Sequence, residues 1–160
     1  MTSHSERALL AWNKRIGAVE GVGDWHTIDQ RQINAFADAT LDHQFIHVDP
    51  ELAAKRSPYK VTIAHGFLTL SMLPHLTTSA LPVQPDLTEG VVAAINYGLD
   101  RVRFPAPVKV GSRVRARSEL LAVEAVSADT LQIKRKVTIE IEGSDKPGCV
   151  AETLSRLIFS

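Results

Sequence analysis

The spacing of the apolar residues changes once along the chain, and this change restricts the fold. Up to about residue 80 the apolar residues recur at helical intervals, whereas from Val91 onward they alternate or form short continuous runs, as in strands. One helical segment, Gly66–Thr78, is apolar around most of its circumference, which is typical of a buried helix. Pro74 within it predicts a kink or a local break, because proline lacks the N–H that bonds to the preceding turn.

Four strands are predicted in the second half of the chain. Val91–Leu99 is an almost unbroken apolar run, which indicates a strand covered on both faces. Three more strands follow over residues 112–124, 130–142 and 149–159. Strands that follow each other this closely are most simply antiparallel. A buried helix against such a sheet predicts an α+β domain of two layers.

Local start signals place further helices ahead of the buried one. Asp29 is a predicted N-cap, and Gln32 at the third helical position completes the pattern of a capping box. Asp49 and Pro50 form a second start signal, because Asp caps a helix and Pro fits its first position. The predicted helices run over Ser5–Ile16, Gln30–Thr40 and Pro50–Arg56.

Length and charge limit the domain organisation and the partners. A chain of 160 residues fits one compact domain over 1–160, with residues 1–22 as an N-terminal helical extension. Lys plus Arg equals Asp plus Glu at 18 each, so no bulk basic field recruits nucleic acid or an acidic membrane. No apolar run approaches the roughly 20 residues that span a bilayer, and residues 1–16 lack the apolar region of a signal peptide. We therefore expect a cytoplasmic protein.

The single cysteine, Cys149, excludes an intrachain disulfide and a cysteine-based zinc site. It lies in a strand-like run, which favours a small core residue over a nucleophile. The spacing of His43, Asp49 and His65 relative to His47 fits no standard zinc pattern either. We therefore expect no metal.

The stretch Asp42-His43-Gln44-Phe45-Ile46-His47 sets a carboxylate and an imidazole five residues apart, between two predicted helices. In a straight helix, positions five apart point about 140° away from each other. Asp42 and His47 can therefore share one water only if the chain bends between them, and Phe45 can anchor such a bend. A carboxylate and an imidazole around one water form an acid–base pair. The alternative is that Asp42 caps a helix and His47 is a surface or core residue.

A second polar cluster, Thr62–Phe67, precedes the buried helix. A helix N-terminus carries free N–H groups and partial positive charge, and Gly66 has no side chain to keep a ligand away from its N–H. Such an amide can polarise a thioester carbonyl and hold negative charge on its oxygen. The alternative is that Gly66 only permits close packing of the backbone.

Together these residues resemble the MaoC-like dehydratases, the (R)-specific enoyl-CoA hydratases of the hot-dog fold, in their single-domain, nodulation protein N-like form. The resemblance covers most of the chain, from about Trp25 to Phe159. Three motifs carry it: Asp42–His47, then Ile63-Ala64-His65-Gly66-Phe67, and Arg103–Val108 followed by Gly111.

The resemblance implies a role for each site residue. Asp42 is expected to be the general base, His47 to hold the water and share in proton transfer, and the Gly66 amide to bind the thioester oxygen. His65 is expected beside Gly66 at the substrate. Asn96, next to Tyr97 in the strand-like run, is expected to line the acyl pocket; the alternative is that the two form a satisfied core pair. Water then adds to a trans-2-enoyl-CoA to give the (R)-3-hydroxyacyl-CoA, so coenzyme A is part of the substrate and no separate cofactor is expected.

The chain departs from the family motif at two places. Leu41 stands where Gly usually precedes the Asp, and Gln44-Phe45 replaces Asn-Pro. These changes motivate one competing function, a non-catalytic protein that binds acyl thioesters. Two further alternatives are a hot-dog thioesterase and a dehydratase that acts on acyl-carrier-protein substrates. The family also implies a homodimer in which the sheet wraps around the long helix.

Overall fold

A computed structural model describes residues 3–81 and 84–160 of the chain. Its strands are β1 (Val19–Val22), β2 (His26–Thr27), β3 (Val91–Arg103), β4 (Arg113–Ser127), β5 (Thr130–Ile141) and β6 (Cys149–Phe159). They form one sheet in the order β1-β4-β5-β6-β3, in which β2 also pairs with β4. All of these pairings are antiparallel, as predicted.

Seven helices accompany this sheet within the described ranges. They are α1 (His4–Asn13), α2 (Gln30–Thr40), α3 (Phe45–Val48), α4 (Pro50–Arg56), α5 (Gly66–Ser71), α6 (Leu73–Thr78) and α7 (Pro85–Thr88). The predicted bounds of α2 and α4 are confirmed, because both helices begin at a side-chain cap. The Asp29 carboxylate accepts the Gln32 N–H at 2.7 Å, and that of Asp49 accepts the Leu52 N–H at 2.9 Å.

The predicted capping box is only half formed. The Gln32 side chain does not return to the backbone of Asp29. Its amide oxygen instead lies 3.2 Å from His26 Nε2, and its amide nitrogen lies 2.9 Å from the sulfur of Met72. Gln32 therefore ties α2 to β2 and to the central helix, because these tertiary partners replace the local one.

The buried helix is interrupted where Pro74 predicts a break. It divides at Met72 into α5 and α6, and Pro74 occupies the first turn of α6, where its missing N–H is not needed. The divided helix packs on one face of the sheet. Its buried residues share one core with those of the strands: Leu68, Met72, Leu73, Leu76, Val114, Ala116, Val137, Ile139, Cys149 and Ala151. The two-layer α+β architecture is confirmed.

Cys149 lies fully buried in this core. Burial raises the pKa of its thiol to about 11, because a thiolate is costly to place among apolar groups. The residue is therefore a small core residue, as predicted, and its thiol is protonated at neutral pH.

The N-terminal stretch over residues 1–22 is helical only in part. α1 ends at Asn13, and β1 then pairs with β4, so the end of this stretch belongs to the sheet. The side chains of Ala8 and Trp12 cover the far end of the sheet, where they form a second core with Leu120, Leu131, Leu157 and Phe159. Residues 1, 2, 82 and 83 of the expected 1–160 domain lie outside the described residues, and the domain assignment stays a prediction. No helix of the described ranges is both long and apolar enough to cross a membrane.

The prediction that Val91–Leu99 is covered on both faces is wrong for the single chain. β3 is the last strand of the sheet, with one edge unpaired. Its apolar side chains are largely exposed, at 65% for Val92, 47% for Ile95 and 54% for Tyr97. An apolar run therefore indicates a strand whose side chains favour burial, but it does not distinguish burial within the same chain from burial against a partner chain.

Candidate active site

The loop that carries Asp42 and His47 bends sharply where α2 ends. We call residues 41–48 the site loop. Leu41, the C-cap of α2, adopts the left-handed conformation with φ 63°. The chain then passes through residues 42–44, which belong to no helix or strand, and enters the single turn of α3, which carries His47. The two candidate residues therefore lie on different elements, and the predicted bend between them is present.

This bend brings the two side chains together. One carboxylate oxygen of Asp42 and one ring nitrogen of His47 lie within 4.8 Å of each other. Two hydrogen bonds of about 2.8 Å each can bridge such a gap through one water molecule. The Asp42 side chain is 55% exposed, whereas His47 is buried at 7% exposure. The pair therefore joins a solvated carboxylate to a sequestered imidazole.

The orientation of His47 follows from its backbone partner. His47 Nδ1 lies 2.7 Å from the carbonyl oxygen of Ile63, which can only accept. Nδ1 therefore carries the proton, and the neutral ring keeps a lone pair on Nε2. Burial is the largest influence on the pKa of His47 and lowers it. The Ile63 carbonyl opposes that effect, nearby His65 lowers the pKa further and Asp42 raises it, with a net shift below the ordinary value.

His65 lies behind the pair rather than at an open surface. It is 3% exposed, and its ring stacks on that of His47 with centroids 3.8 Å apart and planes 23° apart. Its Nε2 lies 2.9 Å from the backbone carbonyl oxygen of Asp42. The sequence placed His65 at the substrate, whereas the structure shows it in contact with both members of the pair.

Gly66 begins α5, and no side chain caps that helix. The ring of Phe104 lies over it, so that a Cβ at this position would come 3.0 Å from Phe104 Cδ2. A cavity of about 320 Å³ is lined by Gly66, His47 and Phe104 among others. Close packing is therefore a real constraint on Gly66, and the first turn of α5 borders the same cavity as His47.

Asn96 lies elsewhere. It lines a separate cavity of about 400 Å³ with Leu73, Pro74 and Tyr97, between β3 and the central helix. Both Asn96 and Tyr97 are exposed in the single chain, so they do not form a core pair within it. The structure does not bring Asn96 to the cavity that holds His47 and Gly66.

Asp42, His47 and His65 also have the composition of a metal site, since one atom from each lies within 4.8 Å of the others. The geometry does not favour one. The two rings stack with their planes 23° apart, so the ring lone pairs lie in separate, nearly parallel planes, whereas ligands of one ion must converge on it. His47 Nδ1 and His65 Nε2 are bonded to backbone carbonyls, which leaves His47 Nε2 and His65 Nδ1 as the free ring nitrogens. The absence of a metal stays a prediction.

Sequence reasoning missed two features of this site. The first is the stack of His47 on His65, which joins residues 18 positions apart and has no local spacing signal. The second is the bond from His47 to the Ile63 carbonyl, which sets the tautomer. His43, the other imidazole in the motif, bonds Asp38 at 2.8 Å instead.

Comparison with known proteins gives the family. The profile of the MaoC like domain matches residues 13–141. The 3-hydroxyacyl-thioester dehydratase Z of Mycobacterium tuberculosis (strain ATCC 25618 / H37Rv) is 54% identical over 142 residues, covering 89% of this chain and 90% of that protein. Nodulation protein N of Rhizobium leguminosarum bv. viciae is 49% identical over 154 residues, covering 96% of this chain and 93% of that protein.

Solved structures agree on the fold. The unliganded R-hydratase PhaJ1 from Pseudomonas aeruginosa has a TM-score of 0.65 and 21% identity, and the match covers 99% of this chain and 87% of that chain. The antiparallel sheet with its central helix is the hot-dog fold. The chain belongs to the MaoC-like domain family, and both the fold and the family resemblance read from the sequence are confirmed.

Leu41→Gly is expected to stabilise the protein. A left-handed backbone costs a non-glycine residue about 1–2 kcal/mol, and the greater freedom of glycine in the unfolded chain offsets part of the gain. We expect the free energy of unfolding, measured in urea, to rise by about 0.5–1 kcal/mol. The matched control is Leu10→Gly, also exposed but within α1, which should lower it by about 1 kcal/mol. If both variants lose the same free energy of unfolding, Leu41 is not strained by its left-handed conformation.

The lowered pKa of His47 predicts a pH dependence of stability. The unfolded chain takes up a proton on this residue near pH 6.5, whereas the folded protein resists it to lower pH. The free energy of unfolding should therefore decrease as pH falls from about 7 through 6.5 and below. His47→Gln should reduce this slope in urea titrations at several pH values. Ile133→Val, a core change without charge, should lower stability and leave the slope unchanged; an unchanged slope in His47→Gln would refute the assignment.

Proposed function

We propose that this protein is a hydro-lyase, an (R)-specific enoyl-CoA hydratase that adds water to a trans-2-enoyl-CoA. The observation that carries the proposal is the gap of at most 4.8 Å between the Asp42 carboxylate and the His47 ring, which suits one water. Membership of the MaoC-like family supports it, as do the names of its relatives, a 3-hydroxyacyl-thioester dehydratase and an R-hydratase.

In this mechanism the water donates one hydrogen bond to Asp42 and one to the lone pair on His47 Nε2. Asp42 draws a proton as the water oxygen attacks carbon 3, and the same pair returns one proton to carbon 2. Atoms and charges balance, because the product is the substrate plus one water. The neutral state of buried His47 suits its role as an acceptor.

The thioester end of the substrate needs a donor of its own. Carbon 3 is electrophilic only while the conjugated thioester takes up electron density, so negative charge develops on the thioester oxygen. The uncapped first turn of α5 borders the same cavity as His47, and the Gly66 N–H is our choice for this donor. The donor and the acid–base pair then act on opposite ends of one conjugated system.

Strand β3 is the proposed contact with a second subunit, and it also borders the cavity proposed for the acyl chain. This edge strand exposes Val92, Ile95, Tyr97 and Leu99, and its unpaired backbone groups offer a template for another strand. We infer a homodimer in which β3 is covered by a second copy of the chain. The cavity beside Asn96 is partly walled by β3, so it would lie near that contact and suits an acyl chain.

Charges on β3 should prevent the dimer. We expect Val92→Lys combined with Ile95→Lys to sediment as a monomer at micromolar concentration, because lysine on an edge strand opposes pairing. Val126→Lys, equally a lysine in place of an exposed valine but at the end of β4, should leave the wild-type dimer intact. A wild-type protein that sediments as a monomer would refute the dimer.

Asp42→Asn and His47→Ala should each lower kcat for crotonyl-CoA hydration by about 10²–10⁴-fold, because each removes one half of the acid–base pair. Both variants should keep the circular dichroism of the wild type. Asp24→Asn, the same change at an exposed position outside the site loop, should leave kcat unaltered. Full turnover in either site variant would remove that residue from the mechanism.

The same assay separates the competing functions. Loss of the enoyl chromophore without release of free thiol supports the hydratase, whereas thiol release points to a thioesterase. Binding of the thioester without turnover points to a non-catalytic protein. Comparison of one acyl chain on coenzyme A and on acyl carrier protein tells which carrier the enzyme uses.

A further inference from the structure

His65 touches both members of the candidate acid–base pair and almost nothing of the solvent. Its ring lies 3.8 Å from that of His47, and its Nε2 lies 2.9 Å from the backbone carbonyl oxygen of Asp42. The ring of Phe36 is a third neighbour at 5.0 Å. With 3% exposure, His65 has no open face for a substrate.

The hydrogen bonds of the His65 ring indicate which contact explains a histidine at this buried position. A carbonyl oxygen only accepts, so Nε2 carries a proton, and in the neutral ring Nδ1 then has none. Nδ1 is buried and has no partner among the described residues. An unpartnered buried nitrogen is costly, and an apolar ring of similar size would avoid it. The fold tolerates that cost at a position where the one polar contact made is the bond to Asp42.

The site loop needs such an anchor. The Asp42 carboxylate is more than half exposed, and its bond from the Gln44 N–H is long, at 3.4 Å. Phe45 stands where a proline would restrict the backbone, and Leu41 holds a strained conformation just before Asp42. A hydrogen bond to the Asp42 carbonyl fixes the main chain from which the carboxylate projects.

We propose that His65 is a positioning residue, which holds the Asp42 backbone through its Nε2–H and supports the plane of the His47 ring by stacking. This inference rests on the proposed hydratase function. It replaces the expectation that His65 binds substrate. Of the two contacts, we infer that the hydrogen bond to Asp42 contributes more to the reaction rate than the stack on His47.

Two variants separate these contributions. His65→Gln keeps an N–H donor at similar reach and loses the stack, whereas His65→Phe keeps a ring and loses the donor. We expect His65→Phe to lower kcat for crotonyl-CoA by about tenfold or more with little change in KM, because a displaced catalytic group loses rate rather than affinity. His65→Gln should keep kcat within about threefold of the wild type. Ile133→Val, a change in the second core formed around Trp12 and Leu120, serves as a control for lost stability.

Each outcome decides. A raised KM with unchanged kcat in either variant would make His65 a substrate contact and overturn the proposal. So would full activity in both variants, or losses that merely follow stability as in the control. If His65→Phe does not fold, the tautomer of His65 in the wild type decides. In the wild type, ¹⁵N NMR should show the Nε2–H tautomer of His65, and the Nδ1–H tautomer would refute the anchor. That measurement does not depend on turnover. An inactive wild type would therefore refute the proposed hydratase function, whereas the hydrogen bond from His65 to Asp42 could still be tested.

Discussion

Two hydrogen bonds between Ile63 and the site loop hold the proposed chemistry together. The Ile63 N–H donates to the Ile46 carbonyl at 3.0 Å, and the Ile63 carbonyl accepts from His47 Nδ1–H at 2.7 Å. Ile63 lies three residues before Gly66, so the same two bonds set the distance from the imidazole to the start of α5. The bond to Nδ1 also fixes the tautomer of His47 and leaves the lone pair of the neutral ring on Nε2.

Ile63 is held in place by hydrogen bonds between its own segment and residues 108–110. Residues 62–64 run beside 108–110, with an isolated bridge between Ile63 and Lys109. The Ala64 N–H donates to the Val108 carbonyl at 2.7 Å, and Val110 returns a bond to Thr62 at 2.9 Å. The site loop therefore rests on a segment that is itself fixed to the fold. Addition of water to an enoyl thioester needs this rigidity, since two groups must act on opposite ends of one substrate.

The parts of this structure that the sequence predicted are the local ones. α2 and α4 begin at Asp29 and Asp49 because a capping side chain bonds within its own turn, and the bend after Asp42 is likewise written into a few residues. The stack of His65 on His47 and the position of Asn96 depend on how distant segments pack, which no periodicity reports. The exposure of β3 was not predicted for a different reason. An apolar run has the same sequence pattern whether it is buried by its own chain or by a partner chain.

In the proposed mechanism, a single acid–base pair on one side of the substrate directs the water to carbon 3 and delivers the proton to carbon 2. Hydration of crotonyl-CoA in D₂O, followed by NMR of the isolated product, tests this most directly. We expect (R)-3-hydroxybutyryl-CoA with the deuterium at carbon 2 and the hydroxyl added to the same face of the double bond. Addition to opposite faces, or the (S) product, would contradict it.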